Sequence, residues 1–313
     1  MSVAITIPQS ARNMFQTGME HVAQQLQSRF KAYATVKTGC TGKSQAHRKV
    51  QKAEMNDVTG RLQPTNGQEL LLEHRYLFPR KASLATILDE DDASDLDLAV
   101  APTGEISTQH QGAANRKVDD IFIAGIIGSN YEGLEDSMSA VVVPESQKVA
   151  VTFHRDGTTA NCGLTLGKLI KAKGRFGKLE VYGQDQKDSG AKICMAVSQD
   201  ELDNLLYDVE KTGSSDYNKV KALVEGEVDY FMGVTFLRTE RLPYSGPSAN
   251  KIIRCCPMWV SNGVHLDFWY DVKTSIDVLP TQSQAVQVYS RLKVGACRKA
   301  EENVVLVYCE QDG

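Results

Sequence analysis

The sequence has no apolar run long enough to cross a bilayer: stretches such as Ile121 to Ile127 fall far short of the roughly 20 residues a membrane helix needs. The first residues, MSVAITIPQS, carry neither a basic leader nor a long apolar segment, so no signal peptide and no membrane partner are expected. Excess positive charge is also missing. Lys and Arg number 35 against 39 Asp and Glu, a formal net charge of −4, and a tight grip on nucleic acid needs a basic surface to neutralise phosphates. Any DNA contact is expected to be weak. The seven cysteines, Cys40, Cys162, Cys194, Cys255, Cys256, Cys297 and Cys309, are odd in number and scattered, with no CxxC and no histidine at ligand spacing. That pattern excludes a disulfide framework and a zinc module and fits a reducing cytoplasm. Adjacent Cys255 and Cys256 read as small buried thiols on a strand. Among His21, His47, His74, His110, His154 and His265 there is no HxxxH or HExxH pair, and no serine sits in a GxSxG elbow, so hydrolase chemistry has no anchor. No catalytic residue, no cofactor-binding residue and no metal ligand is assigned.

A chain of 313 residues can bury one large core or two modest ones. Residues 9–32 read as an amphipathic helix, because Phe15, Met19, Val22, Leu26 and Phe30 recur at three- and four-residue steps behind a Ser10 cap. Gly18 weakens it as a free helix, so a partner surface is expected to support it. From Tyr33 to Gly67 the apolar content collapses, and Lys37, Lys43, Arg48, Lys49, Lys52 and Arg61 stand among Gly, Thr, Gln and Asn. Such a stretch cannot form its own core. Residues 68–88 return to strand-like composition, and the pair reads as a long protruding hairpin. Six acids follow: Asp89, Glu90, Asp91, Asp92, Asp95 and Asp97.

Residues 103–128 predict a long helix, capped by Thr103, with Val118, Ile121, Phe122, Gly125 and Ile126 on its apolar face and Gly128 ending it. Then come strand-like runs at 139–154 and 179–182, a helix at 164–173, a strand at 192–197, a helix at 199–211, and strands at 234–238, 252–260, 286–294 and 303–309. The class is α+β, without an internal repeat.

Three features tempt a chemical reading. Gly39-Cys40-Thr41-Gly42-Lys43-Ser44 ends in the GKS of a phosphate-binding loop, yet Lys37 stands where that loop needs its first glycine, and a polar stretch follows in place of an apolar helix. The acidic run has carboxylates at alternate positions but lacks the turn glycine of a calcium loop, where Ser94 sits, so a solvated face or an ionic contact is expected. Trp259, Phe268, Trp269 and Tyr270 can stack a ligand, but aromatics on apolar strands mostly fill cores.

The segment HRYLFPRKASLATILDEDDASDLDLAVAPTGEISTQHQGAANRKVDDIFIAGIIG resembles the tailed-bacteriophage major capsid protein family: a basic hairpin strand, an aspartate-rich turn, a linker, and a long helix bearing Arg-x-x-Asp, here Arg116-Lys117-Val118-Asp119. A second block, SSDYNKVKALVEGEVDYFMGVTFLRTERLP, is also similar, with Asp216-Tyr217, Gly226, Gly233 and Arg241-Leu242-Pro243. The resemblance spans roughly residues 70–310. It implies the Hong Kong 97 capsid fold, with an N-terminal arm at 1–33, an extended loop at 34–80, a peripheral domain at 81–164 carrying a spine helix at 103–128, an axial domain at 165–275, and C-terminal strands of the peripheral domain at 276–313.

It further implies a homo-oligomer of hexamers and pentamers that builds an icosahedral head around double-stranded DNA, held by weak non-specific contact. A separate scaffolding protein, a portal and room for a cement protein go with that reading, as do assembly in the host bacterial cytoplasm and residence in the virion capsid. The segment ahead of the hairpin is too short for a fused scaffold of the size some family members carry. Two alternatives stay open: an encapsulin-like compartment shell, which shares the fold, and a cytoplasmic nucleotide-dependent enzyme, which rests on the incomplete GKS loop alone. A polar hairpin and an arm that needs a surface suit a subunit completed by its neighbours.

Overall fold

A computed structural model of the chain describes residues 24–50, 72–88, 103–134, 137–211, 229–245, 253–282 and 285–311 apart from 156 and 159, together with positions 52, 53, 55, 57, 60, 67, 224 and 225. Its strands fall into three sheets. The first runs in the order β1 (Thr35–Thr38), β12 (Val264–Leu279), β13 (Ala285–Arg298) and β4 (Arg80–Leu88), with β1 parallel to β12 and the other pairs antiparallel. Helix α1 (Thr103–Ile127) lies across β13. Its approach depends on Gly125, where an added Cβ would stand 2.5 Å from the Ala296 carbonyl oxygen. No basic residue of its own opposes the dipole at the end of α1. Arg298 of β13 does so instead, fully buried and donating to the carbonyls of Ile126 at 2.6 Å and Gly128 at 2.5 Å.

The second sheet has the order β7 (Lys148–Val149), β14 (Val304–Glu310), β11 (Ile253–Val260), β8 (Ile193–Val197), β10 (Val234–Arg238) and β9 (Tyr230–Phe231). Every residue of β8 is buried, as expected of a strand covered on both faces. Helix α2 (Leu166–Lys178) packs on β14 and β7, and a short α3 (Gln184–Asp188) follows. At the start of helix α4 (Gln199–Lys211) the Ser198 backbone N–H donates to the Glu201 carboxylate at 2.8 Å, and the Ser198 hydroxyl donates to the same oxygen. Met232 and Gly233, at φ 52° and 81°, make the two-residue turn from β9 to β10, the left-handed pair a tight hairpin requires. The third sheet, β2 (Gln45–Val50), β3 (Leu72–Leu77), β5 (Asn130–Leu134) and β6 (Ser137–Val141), is antiparallel throughout. One core joins α1, the second sheet and the near half of the first. No helix among the described residues is long and apolar enough to cross a membrane.

Several expectations need correction. The arm helix at 9–32 is not continued where it can be seen: residues 24–30 are irregular and Lys31–Tyr33 is a single 3-10 turn, while 9–23 lie outside the described residues. The physical reason is that Phe30 leaves its helical stripe to enter the core, stacked on Phe122 with ring centroids 5.4 Å apart. Residues 179–182 are a turn, and the 139–154 run breaks into β6 and β7 because Pro144 interrupts it. The sequence pattern misses β12, whose exposed far half alternates weakly. Of the strands after 276, β14 does not return to the sheet beneath α1. Its nearly continuous apolar run pairs with β11 over seven positions in the second sheet, where α2 covers it.

Candidate functional site

The residues with the strongest chemical pull in the sequence turn out to be structural. Gly39 and Gly42 have φ of 74° and 84°, so Gly39-Cys40-Thr41-Gly42 is a tight turn between β1 and β2. The Gly42 carbonyl accepts from the Trp269 indole N–H at 3.0 Å. A strand follows Lys43-Ser44, where a phosphate loop requires a helix. Cys255 and Cys256 are buried on β11, and burial pushes the Cys255 thiol up to about 12, which keeps it protonated and unreactive. Trp259, Phe268 and Trp269 are buried as core side chains. The acidic run Asp89 to Asp97, Asp216-Tyr217 and Gly226 lie outside the described residues.

The two sequence blocks that carried the resemblance meet in space. Asp119, almost fully buried on α1, accepts from Ser28 Oγ at 2.6 Å and the Arg29 backbone N–H at 3.1 Å, and from the Gln25 side chain. Arg116 donates to the Gln25 carbonyl at 2.9 Å. The Arg-x-x-Asp pair is therefore a clamp that holds the end of the arm against the helix. Next to it, Asp120 takes a two-pronged bond from Arg241 Nε and Nη2, each at 2.6 Å, and this hydrogen bonding raises the Arg241 pKa further.

The third sheet has two unlike faces, fixed by the pairing of Arg75 with Glu132 and Tyr76 with Tyr131. Its inner face is charged: buried Arg75 donates to Glu132 at 3.2 Å and Glu301 at 2.9 Å, and Lys49 donates to Glu132 at 2.8 Å. Burial pushes the Glu132 carboxyl up, but Lys49 and Arg75 outweigh it and hold the group below its usual range. The outer face mixes exposed apolar side chains with the cation Arg48, which alternation sets beside Val50 and pairing sets opposite His74. Val50 is 56% exposed, Tyr131 42% and Met138 38%, and Phe78 sets its ring edge-on to Tyr131 with centroids 5.4 Å apart. Exposed apolar side chains gathered on one sheet face form a surface open to a partner.

Between this hairpin and α2 opens a basin of about 1370 Å³, lined by Arg48, Lys52, Lys171, Arg175, Lys178 and Lys299 as well as by Glu301 and Glu302. Lys52 reaches Glu302 at 3.5 Å. The Arg175 guanidinium keeps one nitrogen buried without a hydrogen-bond partner, and burial lowers its pKa.

The structure also gathers His47, His265 and Asp267, which no spacing in the sequence links. Asp267 and His265 are two apart on β12 and so share a face, while His47 arrives from β2. Alternation along β12 was the one available signal. His47 Nε2 lies 2.5 Å from Asp267 Oδ2, and the two imidazoles stack with centroids 4.0 Å apart. Burial, then the neighbouring His47, lowers the His265 pKa to about 4.

A family model described as phage capsid protein matches residues 7–311. No curated protein matches. Among solved structures, the capsid of cyanophage Pam1 has a TM-score of 0.63 at 11% identity and covers 100% of both chains. The capsid of cyanophage P-SCSP1u has a TM-score of 0.63 at 14% identity, covering 96% of this chain and 93% of that one. The capsid of Helicobacter pylori bacteriophage KHP30 has a TM-score of 0.61 at 10% identity, covering 99% of each. At these identities the likeness is one of fold.

Proposed function

This chain belongs to the phage capsid protein family, and we propose that it is the major subunit of an icosahedral phage head, arranged as hexamers and pentamers around double-stranded DNA. The observation that carries this reading is the third sheet. Its outer face exposes Val50, Phe78, Tyr131 and Met138, an apolar surface that water disfavours and a neighbouring copy can cover. The charged inner face orients that surface outward from its own subunit.

A docked hairpin also needs a place to receive acidic or basic partners. The basin lined by Arg48, Lys171, Arg175 and Lys178 suits the acidic run Asp89 to Asp97 of a neighbour by charge. Each exposed pair is worth only about 0 to 1 kcal/mol, so no single bridge holds a subunit. Many such contacts around a closed shell do, and salt-screened contacts let misplaced subunits leave before the shell closes.

In this reading residues 1–33 are the arm, 34–80 the extended loop, 81–164 and part of the C-terminal segment the peripheral domain, and 165–275 the axial domain, with β14 added to the latter. A separate scaffolding protein, a portal and assembly in the host cytoplasm go with it, and DNA touches the inner surface weakly. The role is structural rather than catalytic. Replacing Tyr131 and Met138 together by aspartate should leave a folded, soluble subunit that no longer forms particles on size exclusion and negative-stain microscopy. Normal particles from that variant would remove the third sheet from the assembly surface.

A further inference from the structure

We propose that His47, His265 and Asp267 form a binding site for a divalent transition metal ion of the zinc class, which staples the extended hairpin to the long β12 strand. Each residue offers one ligand atom, and these atoms all lie within 4.8 Å of one another. The donor set is two imidazole nitrogens and one carboxylate oxygen. That combination suits zinc, cobalt, nickel or copper, whereas calcium and magnesium favour oxygen alone.

A second observation points the same way. Asp267 is fully buried, and its Oδ1 has no hydrogen-bond partner. A buried carboxylate oxygen left without one is costly. Tetrahedral coordination at metal–ligand distances of about 2.0 to 2.2 Å sets the donors about 3.4 Å from one another, so His47 Nε2 and Asp267 Oδ2, 2.5 Å apart without an ion, must separate by about 1 Å to admit one, a movement within reach of a ring rotation by partly exposed His47. The ion takes the place of the proton between His47 Nε2 and the Asp267 carboxylate, where unpartnered Oδ1 can share it with Oδ2, and that proton moves to the far ring nitrogen or to solvent. The fourth corner of the tetrahedron is left for water.

The position gives the site a consequence. His47 belongs to β2, in the third sheet, while His265 and Asp267 belong to β12, in the first. A bound ion joins the two sheets directly, and it does so whether or not the hairpin contacts a neighbour.

The test uses the full-length chain, stripped with a chelator and confirmed folded by circular dichroism. Titration with Co²⁺ should give the visible absorption of a tetrahedral N,O site and saturate at about one equivalent per chain. Zn²⁺ should displace the cobalt, raise the unfolding temperature and slow amide exchange in β2. His47→Gln and His265→Gln should each weaken cobalt binding by at least about tenfold, the least that loss of even an outer partner costs. His47→Gln lies on a partly exposed strand and serves as the variant least disturbing to the fold. A folded parent chain that binds no cobalt, or variants that bind as tightly as the parent, would overturn the site and leave His47–Asp267 a simple hydrogen-bonded pair.

Discussion

Phe122 sits where three parts of the chain converge. Its ring stacks on Phe30 of the arm and meets Trp259 of β11 edge-on, with centroids 5.4 Å away in both cases. Phe122→Ala should open a cavity there and cost about 3 to 5 kcal/mol, read as a lower midpoint in denaturant unfolding. An unchanged midpoint would mean the three-way contact adds nothing. That Phe122 is buried was legible from the spacing of Val118, Ile121, Phe122 and Ile126; its partners were not, because the pattern on a helix reveals a face but not what covers it. Arg298 was not legible at all. Its acceptors are the carbonyls at the end of a helix some 170 residues earlier in the chain, and a lone arginine in an apolar strand carries no mark of them. Arg298→Met should strand those buried carbonyls, at about 1 to 3 kcal/mol for each group left unsatisfied. Arg298→Lys, keeping a donor, should recover part of that loss.

At the level of elements, the hairpin separates two roles that its sequence runs together. Adjacent Arg48 and Lys49 alternate across β2: Lys49 turns inward to Glu132, and Arg48 is exposed and lines the basin. Lys49→Glu should therefore damage the subunit's own hairpin. Arg48→Glu should spare the fold and reduce assembly, most at low salt, and Asp91→Lys with Asp92→Lys should restore it. Assembly of Arg48→Glu at the parental yield at both low and high salt would remove charge from the docking.

Glu132 adds a pH dependence to the same element. Its folded pKa is depressed, so its contribution is complete above the unfolded value of about 4.5 and is lost as pH falls through the lower folded value. Amide exchange in β2 and β3 should accelerate on acidification below about 4.5, and Glu132→Gln should flatten that slope. The hairpin, α1, α4, β8, β10 and β11 were readable from period and punctuation. The third sheet was not, because it depends on β5 and β6 completing the hairpin, a pairing that periodicity does not specify.

Across the whole molecule, the resemblance was carried by two blocks of sequence, and the structure brings them into contact: Asp120 of one bonds Arg241 of the other. The arm and the last strand were misread for a common reason. Phe30 and the apolar run of β14 both satisfy a pattern, helical or β, whose destination is set by tertiary space elsewhere in the chain. In the proposed shell the subunit is completed by a neighbour that covers the exposed apolar side chains on the outer face of the third sheet. Size-exclusion chromatography with negative-stain microscopy of the expressed full-length chain tests this most directly. Elution in the void volume with shell-like particles, lost when Tyr131 and Met138 become aspartate, is the predicted result; a parent chain that stays a stable species of 34.4 kDa at high concentration would contradict it.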